Sequence, residues 1–194
     1  MLQPKALAVV NEVRKAILGK DAVVCKVLMA ILARGHILLE DNPGVGKTTL
    51  ALAFSKAMGL EYNRVQFTPE VMPADVVGFS VWDRATGNFS YRPGAVLCNL
   101  FLADEINRTS AKTQSALLEA MEERQVTIDG ETLPLPTPFV VMATQNPVES
   151  ESTFRLPAAQ MDRFLIRISM GYPTPKEERR MLRNLGDEIP FDQV

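Results

Sequence analysis

One short stretch of the sequence gathers residue types suited to holding an anion: Asp41, Asn42, Pro43, Gly44, Val45, Gly46, Lys47, Thr48 and Thr49 in unbroken order. Glycines at 44 and 46 let the backbone turn so that several N–H groups face one point. The segment that follows predicts a helix, whose N-terminus adds partial positive charge at the same place. Lys47 can reach the β- and γ-phosphates of a nucleotide, and the Thr48 hydroxyl can ligate Mg²⁺. The strict form of such a loop begins with glycine, where this chain has Asp41. Alone, the string also fits a glycine-rich turn carrying a solvated lysine.

A second group narrows the choice. Leu100-Phe101-Leu102-Ala103-Asp104-Glu105 is an apolar run ending in two carboxylates. In a parallel sheet, ligands bind at the carboxyl ends of the strands. There Asp104 can hold Mg²⁺ through water, and Glu105 can orient or deprotonate an attacking water. Acidic pairs after strands are usually just solvated; a phosphate loop upstream turns this pair toward catalysis. A third apolar run, 139–143, ends in Thr144-Gln145-Asn146-Pro147. The Asn146 amide can hold the lytic water or sense the γ-phosphate without adding charge, and an Asn-Pro turn is the plainer use of the same residues. Together the three groups describe a site for ATP, ADP and Mg²⁺.

The elements that must position these groups follow from periodicity. Leu2, Ala6, Val9 (or Val10), Val13 and Ile17 recur at helical spacing, predicting an amphipathic helix over about 3–18. Gly19-Lys20-Asp21 breaks it, and Asp21 is placed to cap a second helix running to about 33. Residues 36–39 are a short apolar strand ending in Glu40, and the helix from 47 to about 58 is stopped by Gly59. Strands are predicted at 62–67, within the apolar run 97–103, at 139–143 and at 165–168, and helices after Ser110 and over 158–163. Strands alternating with helices argue for an α/β fold with a five-stranded parallel sheet covered on both faces. Two hairpins interrupt the alternation, 79–82 with 88–91 and 126–128 with 132–133, the second turning at Asp129-Gly130. Thr174-Pro175-Lys176-Glu177 reads as a capping box opening a last helix to about 185.

Bulk properties bound the rest. The chain has 194 residues, 46% hydrophobic and 23% charged, enough for one sizeable α/β domain over 1–194. A net charge of −2 and a pI near 5.6 give no electrostatic footprint for nucleic acid. Cys25 and Cys98 each lie in apolar runs and are expected as buried free thiols, which suits a reducing cytoplasm. No apolar run approaches the length of a membrane span. His36 is expected to be structural, and Trp82 either packs its own hairpin or touches a partner.

The three strand ends resemble the AAA+ superfamily of P-loop NTPases. The wording of Glu40 to Thr48, of Asp104-Glu105-Ile106-Asn107-Arg108, of Ala143 to Pro147 and of Leu156 to Phe164 is similar to its MoxR branch, from about residue 17 to 180. That resemblance implies a three-layer α/β/α sandwich, with one hairpin inserted in the second helix and one before the sensor strand. It makes Lys47 and Thr48 the Walker A pair, Asp104 and Glu105 the Walker B pair, Asn146 the first sensor and Arg163 an arginine finger acting on a neighbour's ATP. Arg155 is the rival finger. Ile17, Leu18 and Gly19 fall where the superfamily packs adenine. The resemblance further implies a homo-hexamer that remodels a protein partner, such as a von Willebrand factor A-domain protein, and a small helical lid that should begin about where this chain ends. Other function classes are a nucleic-acid motor, which the acidic pI disfavours, and a non-hydrolysing nucleotide switch, which Glu105 and Asn146 disfavour.

Overall fold

A computed structural model describes residues 3–84, 87–146, 156–172 and 179. Of the expected helix after Thr174 only residue 179 is described, and it is helical; the rest lies outside the described residues. Two helices come first: α1 (Pro4–Ala16) and α2 (Asp21–Leu32). Asp21 does not cap α2. Lys20 takes the cap position without a side-chain bond, while the Asp21 carboxylate, one residue inside, pairs with Arg14 at 2.8 Å.

The alternating part follows as β1 (His36–Glu40), α3 (Lys47–Met58), β2 (Tyr62–Gln66), a short α4 (Pro73–Val77), β3 (Gly78–Asp83), β4 (Asn88–Pro93) and β5 (Leu100–Asp104). Then come α5 (Ala111–Glu123), β6 (Gln125–Ile128), β7 (Glu131–Pro134), β8 (Val140–Gln145), α6 (Ala158–Met161) and β9 (Phe164–Ile168). Ser110 caps α5 as its type predicts, its hydroxyl accepting from the Thr113 N–H at 3.3 Å. The apolar run before Asp104 becomes strand only from Leu100, and α4 is an element that periodicity did not reveal.

β2, β5, β8, β1 and β9 form one five-stranded sheet in that order, and every pairing in it is parallel. The pleat divides the strand residues between two cores. Ile37, Leu39, Leu100, Leu102, Val140 and Met142 face α1, α2 and α3, while Leu38, Phe101, Ala103, Val141 and Ala143 face α5 and the insertions. Continuous apolar strands are what two covered faces demand. Both hairpins form, β3 with β4 and β6 with β7. Asp129 and Gly130 carry φ of 51° and 85°, the pair of left-handed residues a tight hairpin turn needs. Trp82 packs edge-on against Phe89, 5.0 Å between ring centroids.

The thiols differ from expectation at one position. Both are free, but Cys25 is only half-buried while Cys98 is buried, and burial pushes the Cys98 thiol up to about 12.

His36 is structural and neutral. Its Nδ1 accepts from the Val141 N–H at 2.9 Å, so Nε2 donates to the Met121 carbonyl at 3.1 Å. Burial lowers its pKa to about 4. The unfolded chain therefore takes up a proton near pH 6.5 that the folded one refuses, and the associated stability is lost as pH falls from there to about 4. The loss is about 3 kcal/mol at the bottom of that window. Urea unfolding at pH 7, 5 and 4 should show wild type losing more than His36→Gln; equal slopes would exclude this titration.

Candidate active site

β1 ends at Glu40, and the phosphate loop crosses from its carboxyl end to the start of α3. Gly44 and Gly46 take φ of 83° and 91°, the left-handed region that glycine alone enters freely. A Cβ built on Gly44 would meet no atom within 4 Å, and one on Gly46 only the Met170 methyl at 4.0 Å. The loop is therefore open where a phosphate chain would lie, and the first N–H groups of α3 have no partners within their helix. The Lys47 ammonium donates to the carbonyls of Asp41 at 2.6 Å and Asn42 at 3.4 Å. Burial lowers its pKa, and the charges of Asp104, Asp41 and Glu105 act in the opposite direction.

Asp41, the departure from the strict loop pattern, has a side-chain role. It is 7% exposed. One carboxylate oxygen accepts from Ser169 Oγ at 2.7 Å and the Gly171 N–H at 3.1 Å, and the other accepts from the Met170 N–H. The side chain thus fastens the loop to the chain leaving β9, and it is the Asp41 carbonyl that meets Lys47. Asn42 donates to the Tyr172 hydroxyl at 3.2 Å, and Lys20 to the Tyr172 carbonyl at 2.8 Å. These contacts hold the turn carrying half-buried Leu18 and exposed Gly19 close to the loop. Thr49 lies in the first turn of α3 with Thr48.

The sheet order sets the other two groups beside the loop, because β5, β8 and β1 are consecutive neighbours. Asp104 ends β5 and Asn146 follows β8 directly, with Gln145 in register with Glu40. Gln145 and Arg167 both donate to the Glu40 carboxylate, tying β8, β1 and β9 together.

Thr144 links the two carboxylates at the end of β5: its hydroxyl donates to Asp104 Oδ1 at 2.6 Å and accepts from the N–H of Glu105, the residue after the strand, at 2.8 Å. Arg64 on β2 pairs with Asp104 Oδ2 at 2.7 Å. Glu105 sits at φ 58°, an uncommon conformation for a non-glycine residue that recurs at functional sites. Its carboxylate accepts from Arg108 at 2.8 Å and Gln66 at 3.4 Å. Asn146 is buried, and its carbonyl accepts from Asn107 at 3.4 Å.

Sequence reasoning missed Arg64, Gln66, Thr144 and Arg108 as members of this network. A signal existed for the first two, since alternate residues of an edge strand beside β5 share one face.

Arg163 lies elsewhere. It precedes β9, whose Phe164 is in register with His36 at the start of β1, so the length of β1, about 13 Å of strand rise, separates it from the phosphate-loop end. Its guanidinium pairs with Glu122, at 2.9 Å from Nε and 2.6 Å from Nη2. Arg155 lies outside the described residues.

The residues present fit a magnesium nucleotide. Thr48 and Asp104 offer the hard oxygens that Mg²⁺ prefers, and the loop offers an open backbone cradle with one ammonium beside it. Comparison with known proteins points to an ATPase family. The model of the ATPase family associated with various cellular activities (AAA) matches residues 36–166. The uncharacterized protein YeaC of Bacillus subtilis is 53% identical over 181 residues, covering 93% of this chain and 57% of that protein. Chaperone MoxR1 of Mycobacterium tuberculosis is 48% identical over 179 residues, covering 92% and 48%. A crystal structure from Cytophaga hutchinsonii, provisionally assigned as an ATPase, matches with a TM-score of 0.84 at 44% identity, covering 94% of this chain and 56% of that one. This chain spans about half the length of the curated relatives it matches. With its parallel sheet, its phosphate loop and these relatives, the chain belongs to the AAA ATPase family, in its MoxR branch.

Proposed function

We propose that this chain binds Mg·ATP on residues 41–49 and hydrolyses it with Glu105 as base, driving the remodelling of a protein partner. One observation carries the reading: the consecutive strands β5, β8 and β1 end in Asp104, Asn146 and the phosphate loop, and the Lys47 ammonium feels both Asp104 and Glu105.

In this reading Lys47 exchanges its loop carbonyls for phosphate oxygens, and the α3 N-terminus and glycine backbone hold the remaining charge. Mg²⁺ held by Thr48 and Asp104 would neutralise charge on the phosphates as the bond to the leaving group breaks. Thr144 fixes Asp104 and, through the Glu105 N–H, the backbone that aims the base. Glu105 takes the proton of the attacking water while Asn146 orients that water or reports the γ-phosphate. Leu18 and Gly19 pack the adenine. Arg163, on the far end of the sheet, acts on ATP held by a second copy in a homo-hexamer. A partner with a von Willebrand factor A domain fits the MoxR branch.

Lys47→Ala is expected to weaken Mg·ATP binding on the order of 100-fold, because a triphosphate loses its main charge-assisted donor. Differential scanning fluorimetry should then show no nucleotide-dependent shift at concentrations that saturate wild type. An undiminished shift would place the nucleotide elsewhere.

A further inference from the structure

At the end of the sheet opposite the phosphate loop lies a cavity of about 280 Å³, lined by Arg34, Arg124 and Arg163 together with His36, Met121 and Glu122. Three guanidinium groups stand there against one carboxylate, and His36 is neutral. The cavity is cationic in a chain whose net charge is −2.

Backbone conformation sets two of these arginines apart. Only Arg34, Glu105, Arg124 and Asp129 are non-glycine residues with positive φ among the described residues. Asp129 belongs to a tight hairpin turn, where aspartate is a usual choice, and Glu105 stands at the candidate active site. The remaining two are both arginines, both follow helices that run toward this cavity, and both line it. Glycine is the ordinary residue at such a helix end. A cation also suits the negative end of a helix dipole, but the last helical turn offers that without a left-handed backbone, and the dipole does not explain why both side chains converge. The turns are joined, since Arg124 donates to the Arg34 carbonyl at 2.8 Å. Arg163 is held alongside by Glu122. The Arg34 guanidinium has no side-chain partner among the described residues.

We propose that Arg34 and Arg124 act together with Arg163 as one phosphate-binding site, which grips the terminal phosphates of a nucleotide held by a second copy of this chain. The inference deepens the ATPase reading above and rests on it. Guanidinium is suited to the task because it is always ionised and offers paired donors to phosphate oxygens. Glu122 keeps the Arg163 fork oriented until a more highly charged acceptor replaces it.

The test uses glycine, which relieves the left-handed backbone instead of disturbing it. Arg34→Gly, Arg124→Gly and the double variant are each compared with wild type. Thermal unfolding of Arg34→Gly should match wild type or exceed it, and every variant should bind Mg·ATP on its own loop as tightly as wild type. Turnover at rising protein concentration should fall at least 10-fold in each single variant, through kcat and not KM. Inorganic tripolyphosphate, titrated by calorimetry into Lys47→Ala protein, should bind, and binding should vanish when Arg34→Gly and Arg124→Gly are added. Lost tripolyphosphate binding with unchanged turnover would mean a site for free polyphosphate and overturn the assignment to a second copy's nucleotide. Unchanged turnover and unchanged tripolyphosphate binding would overturn the site altogether. Failure of the ATPase reading shows separately, as ATP bound with wild-type affinity by the variant that combines Lys47→Ala with Arg34→Gly and Arg124→Gly, where neither site remains.

Discussion

Arg163→Ala is expected to leave the affinity for Mg·ATP nearly unchanged while lowering turnover by about 10³-fold or more. Charge builds on the γ-phosphoryl oxygens in the transition state, and an arginine supplied from a partner contributes about 10³–10⁵ in rate. The position of Arg163, at the N-terminal end of β9 and a strand length from its own phosphate loop, makes service to its own nucleotide geometrically poor. Among the described residues its side chain is tied only to Glu122, in a surface ion pair, and such pairs contribute little to stability. The variant should therefore fold normally, so a loss of turnover would report chemistry. Mixing Arg163→Ala with Glu105→Gln subunits separates action across subunits from action within one. Mixed assemblies re-form some sites with an intact base and an intact arginine, and activity should return above either variant alone. If sedimentation confirms assembly and no activity returns, Arg163 does not act across subunits, and Arg155 becomes the residue to test.

Glu105→Gln should separate binding from hydrolysis. The amide keeps the shape of the carboxylate but cannot accept a proton, so turnover should fall by about 10²–10⁴ on general-base magnitudes. Mg·ATP should still bind, because Lys47, Thr48 and Asp104 are untouched. The structure adds a condition to this result. The Glu105 carboxylate is held by Arg108 at 2.8 Å and Gln66 at 3.4 Å, both through the same oxygen, Oε2, and glutamine can keep an oxygen there but loses the charge that pairs with Arg108. Gln66→Ala and Arg108→Ala therefore serve as controls for displacement of the side chain. Isothermal titration with Mg·ATP and a phosphate-release assay on the same preparations check both halves. Turnover near the wild-type rate in Glu105→Gln would remove Glu105 from the mechanism. The same variant, holding ATP without consuming it, is the form in which to seek the protein partner by affinity capture.

Much of this architecture is written in local pattern. Glycine at 44 and 46 before Lys47 defines the loop because only glycine enters that backbone region freely. The apolar runs of β1, β5 and β8 declare buried parallel strands, and Asp129-Gly130 declares its hairpin. Each of these is a short-range property, decided within a few residues. What the sequence left open is what distant segments do to one another. Asp41 read only as a departure from the strict loop pattern, with no task for its side chain, until folding brought Ser169, Met170 and Gly171 to its carboxylate. Asp21 read as a cap, but Arg14 from the preceding helix claimed it. Arg64 and Thr144 look unremarkable in their strands and become partners of Asp104 only through the order β2-β5-β8. Likewise nothing local marks Arg34 and Arg124 as left-handed residues around one cavity. Their conformation is set where α2 and α5 stop against the sheet, and their neighbourhood is set by β1 and β9 lying side by side. Sequence spacing governs which residues share a face of one element, whereas charge pairing and cavity formation depend on contacts between elements far apart in the chain, and those exist only once the core has closed.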